Sequence, residues 1–200
     1  MSLPRLAIFA SGGGSNFQAI LDRAAAGGLG ADVSLLVASS ASAGALDRAR
    51  AAGVPTEVCG PDDDPSVFTD KHAIDLVALA GYMRRIPPDM VASFRHRMVN
   101  IHPSLLPAFG GSGMYGARVH EAVVAHGVRI TGATVHFVDE TYDTGPIILQ
   151  QAVPVHQDDT PADVAARVLA VEHSLYPEAI QLLAANRLTV HGRRVRIQDA

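Results

Sequence analysis

A single cysteine, Cys59, occurs in the 200 residues, so no disulfide can form within the chain. No stretch resembles a secretory signal: Met1-Ser2-Leu3-Pro4 passes straight into a strand-like run. Together these point to a reducing cytoplasm. Glycine, proline or charge interrupts every apolar run before the roughly 18 to 20 residues that a membrane helix requires, so a soluble chain without a membrane partner is expected. Basic excess is missing too. Against 16 Lys+Arg stand 20 Asp+Glu, a formal charge of −4, which supplies no broad positive field for a nucleic-acid backbone. No serine or cysteine sits in a nucleophile elbow, and Cys59 falls in a polar loop without a partner. His72, His96, His120 and His126 lie on separate expected elements without ligand spacing; they read as ordinary histidines, and no metal is expected.

What is present fits one compact α/β domain over residues 1–200, since 48% of the chain is hydrophobic. Short apolar runs alternate with alanine-rich helical stretches, the pattern of a parallel sheet covered by crossover helices. Strands are expected at Arg5–Ala10, Asp32–Ala38, Pro55–Val58, Asp75–Ala80 and Met98–Ile101, with helices at Ser15–Ala26, Ala43–Ala52 and Gly116–Ala125. The strands lack polar alternation, as strands buried on both faces do. The second half turns mixed: Thr131–Val138 and Pro146–Val155 flank the polar loop Asp139–Gly145. A helix from Thr160 to Ala185 and a hairpin around His191-Gly192 close the chain. Only Cys59–Ile74 lies between the third and fourth strands, a thin crossover.

Ser11-Gly12-Gly13-Gly14-Ser15-Asn16 follows the first strand and opens the first helix. Glycines let backbone N–H groups turn toward a ligand, Ser15 is placed to cap the helix, and a helix N-terminus attracts an anion. A glycine-rich turn also serves any tight strand-to-helix junction. The dinucleotide pattern requires a third glycine where Phe17 stands, and the triphosphate loop requires a Lys-Ser/Thr pair that is missing. The loop therefore suits a monophosphate.

Asn100 and His102 stand two apart at the end of an expected strand and so share a face, with Pro103 and Pro107 fixing the exit. The carboxyl end of such a sheet is where α/β proteins place ligands. Acyl transfer to an amine needs donors aimed at a tetrahedral oxyanion, and the amine must lose a proton. Asn100 and His102 are suited to both tasks. Asp143, in the turn-rich Thr141-Tyr142-Asp143-Thr144-Gly145-Pro146, is expected to raise the affinity of the imidazole for its proton. A histidine before proline also closes turns, and an asparagine also satisfies local backbone.

With these residues in place, the chain closely resembles the phosphoribosylglycinamide formyltransferase family, over nearly its whole length. The markers are Ser11–Asn16, Leu79-Ala80-Gly81-Tyr82-Met83-Arg84, Asn100-Ile101-His102-Pro103-Ser104-Leu105-Leu106-Pro107, and Thr134-Val135-His136-Phe137-Val138 ahead of Asp143-Thr144-Gly145-Pro146-Ile147-Ile148. The resemblance implies a Rossmann-like formyltransferase fold, with a phosphate-binding half (1–100) and a folate-binding, catalytic half (101–200). It implies 10-formyltetrahydrofolate as co-substrate and glycinamide ribonucleotide as acceptor. Gly13, Gly14, Ser15 and Asn16 would hold the substrate phosphate and Glu172 would meet the glycinamide substrate. His102 would act as general acid, Asn100 would polarise the formyl oxygen, and Asp143 would tune His102. Met83, Arg84, Arg85 and Ile86, with Asn100 and Asp139, Glu140, Thr141, Tyr142 and Asp143, would line the folate pocket. Ser104 and His136 would support the site from behind; plain turn and strand roles fit them equally.

Two positions depart from the family pattern. The stretch Pro61–Phe68 is short and has no arginine where relatives carry one that touches the folate, and Leu169 replaces a polar contact near Glu172. Related reactions stay in view. Enzymes that formylate initiator tRNA carry a further basic C-terminal domain, and formyl-folate hydrolases lack the glycine loop. A non-catalytic sugar-phosphate or folate sensor would be expected to have lost Asn100, His102 or Asp143. A homodimer stays open, because one sequence does not separate an apolar interface from core.

Overall fold

The computed structural model describes residues 2–199. Its first half runs β1 (Arg5–Ala10), α1 (Ser15–Ala25), β2 (Asp32–Ala38), α2 (Ala45–Ala51), β3 (Thr56–Val58), α3 (Ser66–Lys71), β4 (Leu76–Leu79), α4 (Pro88–Ser93) and β5 (Met98–His102). Its second half runs α5 (Ala117–Ala125), β6 (Ile130–Phe137), β7 (Ile147–Pro154), α6 (Pro161–Ala184), β8 (Leu188–His191) and β9 (Arg194–Ile197).

Among the described residues nine strands form one sheet in the order β3-β2-β1-β4-β5-β6-β7-β9-β8. The first five pair in parallel. β6 then runs antiparallel to both β5 and β7, and the β8–β9 hairpin joins β7 through Ile147 and Arg194. The mostly parallel sheet with a mixed C-terminal half is thus as the apolar patterning indicated.

The lack of polar alternation in β1 has its reason in two cores. Leu6, Ile8 and Ala10 face the core shared with α1, α2, α5 and α6, while Ala7 and Phe9 face the core containing Met90, Val91 and Phe94. Successive side chains point to opposite faces, and both faces are covered. α6 begins with a reciprocal cap, Thr160 accepting from the Asp163 amide while Asp163 accepts from the Thr160 amide, and Pro161 sits in its first turn. Its buried face includes Tyr176, whose hydroxyl lies 2.9 Å from the Leu79 carbonyl and 3.1 Å from that of Val99, anchoring the helix over β4 and β5.

The structure corrects two expectations, the lack of a helix after β4 and the capping of α1 by Ser15, and agrees with the thin β3–β4 crossover. α4 is an additional helix, and its six residues opened by Pro87-Pro88 are too few for helical periodicity to register. The thin β3–β4 crossover is built from the six residues of α3 and a turn in which Asp63 and Asp64 accept from the Gly60 and Ser66 amides. Ser15 does not cap α1. Gly14 occupies the cap at φ 74°, making Ser15 the first helical residue, past the geometry that lets a hydroxyl reach the first-turn amides.

Candidate active site

Strand order reverses between β1 and β4, and the crevice outside the carboxyl ends of strands at such a switch point is where open α/β sheets bind ligands. The loops leaving these two strands are tied together: the Ser11 amide donates to the Gly81 carbonyl (3.1 Å) and the Met83 amide to the Ser11 hydroxyl (2.9 Å). A cleft of about 630 Å³ opens there and extends past the end of β5 to the β6–β7 loop and α6. That volume suits a small-molecule site.

Asn100, His102 and Asp143 all line this cleft, although Asp143 comes from the loop beyond β6. Nδ1 of His102 lies 3.5 Å from Asp143 Oδ2, and Nε2 lies 2.8 Å from the Phe109 carbonyl. Both ring nitrogens therefore face acceptors. Burial is the largest influence on His102 and pushes its proton affinity below the ordinary histidine value. Asp143 and the Phe109 carbonyl pull upward against it. The expected direction of the Asp143 influence is present, but burial outweighs it. For Asp143 itself, burial alone would raise the carboxyl; the nearby His136 ring, the His102 charge and the Gly111 N–H outweigh that and hold it below the usual carboxylate value.

The backbone is shaped to allow this approach. Phe109 and Asp143 both sit at positive φ, 53° and 58°, unusual for residues with side chains. A Cβ on Gly110 would press on the end of the Leu106 side chain and stand 3.3 Å from Asp143 Cβ, so the two loops meet closely where Gly110 has no side chain. The Gly111 amide then donates to Asp143 Oδ2 at 2.9 Å.

His136 stands behind Asn100. Its Nδ1 donates to the Phe137 carbonyl (2.8 Å), so in the neutral ring Nε2 accepts from the Asn100 amide nitrogen (3.1 Å). Nε2 is also 3.6 Å from Asp143 Oδ1. Ser104 is buried away from the three; its hydroxyl donates to Ala108 (2.6 Å) and its carbonyl accepts from Thr134 (2.6 Å), which stiffens the turn after β5. Thr134 and Gln150 complete that brace by bonding Leu106, contributions that sequence reasoning missed. Nothing marks such roles in β-branched and polar strand residues.

At the other end of the cleft, Asn16 Nδ2 donates to Glu172 Oε2 at 2.7 Å. Glu172 is buried, which raises its carboxyl above the ordinary value against the lowering pull of Asn16. Asn16 Oδ1 is itself buried without a partner among the described residues. No side chain caps α1, and Gly13, Gly14 and Ser15 lead into that open helix end. Gly14 is held close to α2, where an added Cβ would meet Ala45 Cβ at 2.8 Å.

Met83, Arg84, Arg85, Ile86 and the whole run Asp139–Asp143 border the cleft. Met83 and Tyr142 are about half exposed (53% and 51%) and give its mouth an apolar lip. Asp139 organises its own loop by accepting from the Thr141 amide and the Thr144 hydroxyl. Arg84 donates to the Cys59 and Gly60 carbonyls, bridging to the loop that has no arginine of its own. Cys59 is buried, not in an open polar loop. Leu169 and Ala165 line the cleft beside Glu172 at helical spacing. His120, read from sequence as ordinary, is buried in the cleft wall on α5, which packs against α6. Among the described residues no cluster of three or more His, Cys, Asp or Glu is arranged to hold a metal ion. Among them, too, no helix is long and apolar enough to cross a membrane.

Fold and cleft together define an α/β domain with a small-molecule site at the strand switch point. The chain belongs to the formyl transferase family, whose sequence pattern matches residues 4–180. It is 45% identical over 193 residues to the chloroplastic phosphoribosylglycinamide formyltransferase of Vigna unguiculata, covering 92% of this chain and 62% of the relative. The phosphoribosylglycinamide formyltransferase of Bacillus subtilis is 38% identical, with 92% of this chain and 97% of that protein covered. The crystal structure of glycinamide ribonucleotide transformylase 1 from Symbiobacterium toebii superposes with a TM-score of 0.92 at 44% identity, covering 98% of this chain and 95% of that one.

Proposed function

We propose that this chain transfers the formyl group of 10-formyltetrahydrofolate to the amine of glycinamide ribonucleotide, a step of purine biosynthesis. The observation that carries the reading is one cleft lined both by Asn16, in the first turn of the uncapped α1, and by the Asn100–His102–Asp143 group suited to a carbonyl; Gly13, Gly14 and Ser15 adjoin Asn16 in sequence and are not part of the lining. The donor set fits a folate co-substrate. Met83 and Tyr142 supply apolar contact for a flat ring, and the orphaned Asn16 oxygen and buried Glu172 supply acceptors toward the amine-bearing substrate.

Gly13, Gly14, Ser15 and Asn16 hold the phosphate with backbone amides at the start of α1. Glu172 meets the sugar or glycinamide portion. The second N–H of the Asn100 amide polarises the formyl oxygen and stabilises it as negative charge develops, a donor role worth about a factor of 100 to 1,000 in kcat. A doubly protonated His102 satisfies both acceptors around it, Asp143 and the Phe109 carbonyl, and it supplies a proton to the departing folate nitrogen. Co-substrate binding seals the cleft and strengthens these charges by excluding water.

An absorbance assay of formyl-folate consumption tests this directly. Consumption that depends on glycinamide ribonucleotide is the expected result. Consumption without the amine would make the chain a hydrolase, and binding of either ligand without turnover would make it a sensor.

A further inference from the structure

The transfer requires two proton movements, one away from the attacking amine and one onto the departing folate nitrogen, and His102 has surroundings suited to the second. A second imidazole lines the same cleft. His120, on α5, is 6% exposed, and its Nδ1 is sealed from solvent with no hydrogen-bond partner among the described residues. Nε2 is not among the sealed, unpartnered atoms.

Both rings are buried, but they differ in their partners. His102 faces a carboxylate and a carbonyl, both of which favour a proton. His120 has no such support: burial disfavours its charge, and His102 is near enough to repel it further. The ring with acceptors at both nitrogens is suited to hold a proton, and the ring without them to take one up.

We infer that His120 is the base of the reaction, a neutral imidazole whose Nε2 takes the proton that the attacking amine sheds. The amine nitrogen uses its lone pair to bond the formyl carbon, and the carbonyl π pair moves to oxygen. One N–H proton passes to His120, leaving its bonding pair on nitrogen. As the oxygen pair returns, the bond from carbon to the folate nitrogen breaks; that nitrogen keeps the pair and takes the proton from His102. A proton passed from His120 to His102 restores the starting state.

This inference rests on the formyl-transfer reading, and its test separates the two. The wild type, H120A and H120Q are assayed for amine-dependent formyl transfer, with folding checked by thermal melting and by binding of a formyl-folate analogue. Both variants are expected to lose about 100-fold in kcat with KM little changed, in line with general-base catalysis. Added imidazole is expected to restore H120A several-fold and leave H120Q and the wild type unmoved, which a packing role would not produce. An active H120Q, or a folded but slow H120A that imidazole does not rescue, overturns the role of His120 while leaving formyl transfer standing. A wild type without amine-dependent turnover overturns formyl transfer itself.

Discussion

Nδ1 of His102 and Oδ2 of Asp143 stand 3.5 Å apart, one at the end of a buried parallel strand and the other in a loop beyond an antiparallel one. The loops approach closely at Gly110, and the Gly111 amide holds the carboxylate. Replacing Asp143 with Asn keeps an acceptor for that amide and removes the charge beside the imidazole. D143N is expected to keep its fold and lose about 100-fold or more in kcat. The stability effect has a defined sign. The Asp143 carboxyl is depressed below 3.8 in the fold, so it contributes stability above that value, and the contribution disappears as pH falls through the lowered one. Melting curves of wild type and D143N should therefore converge in strong acid.

Glu172 behaves in the opposite way. Its carboxyl is raised from 4.5 by burial, so the fold disfavours the charged form. Its favourable contribution is complete below 4.5 and is lost as pH rises through the raised value. E172Q retains an oxygen for the Asn16 amide and carries no charge. It is expected to melt a few degrees higher than wild type at neutral pH, where about 2–4 °C corresponds to 1 kcal/mol in a chain of this size. The gap should close on acidification, and KM for the amine substrate should rise.

Much of the sheet was legible because its strands are buried on both faces, and an unbroken apolar run as short as Leu6-Ala7-Ile8-Phe9-Ala10 suits a strand covered on both sides. Asn100 and His102 were legible for a similar reason: two residues on one strand share a face by geometry alone. What lay hidden depended on distance along the chain. Nothing near His120 in sequence announces that α5 brings it to the cleft, and nothing near Arg84 announces that it reaches the carbonyls of Cys59 and Gly60. Ser15 has the chemistry of a cap but not the place, because the left-handed turn at Gly14 starts the helix one residue sooner than the hydroxyl requires.

The glycine loop separates geometry from ligand contact. Gly14 has φ +74° and an added Cβ would stand 2.8 Å from Ala45 Cβ, whereas a Cβ on Gly13 meets nothing within 4 Å. G14A is expected to destabilise by roughly 1–3 kcal/mol through backbone strain and overpacking, read as a lower melting temperature. G13A should melt with the wild type. If the loop holds a phosphate through its amides, G13A still weakens substrate binding, because its methyl group intrudes where a ligand approaches the backbone. Unchanged KM in a stable G13A would move the phosphate elsewhere.

The pairing of Asn100 with His136 decides how the catalytic amide points. An Asn side chain turned by about 180° presents oxygen where nitrogen was, and an oxygen facing the formyl oxygen would repel it. His136 prevents this: its Nδ1 proton is committed to the Phe137 carbonyl, so its Nε2 accepts only from the Asn100 nitrogen. N100A is expected to lower kcat by about 100- to 1,000-fold, the range for a lost oxyanion donor. H136A should leave Asn100 present but free to turn, with a smaller loss in kcat and little change in KM. If His136 acts only through Asn100, the double variant N100A/H136A will be no slower than N100A alone. Losses that multiply in the double variant would mean that His136 contributes on its own account, and its role in orienting Asn100 would no longer account for its effect.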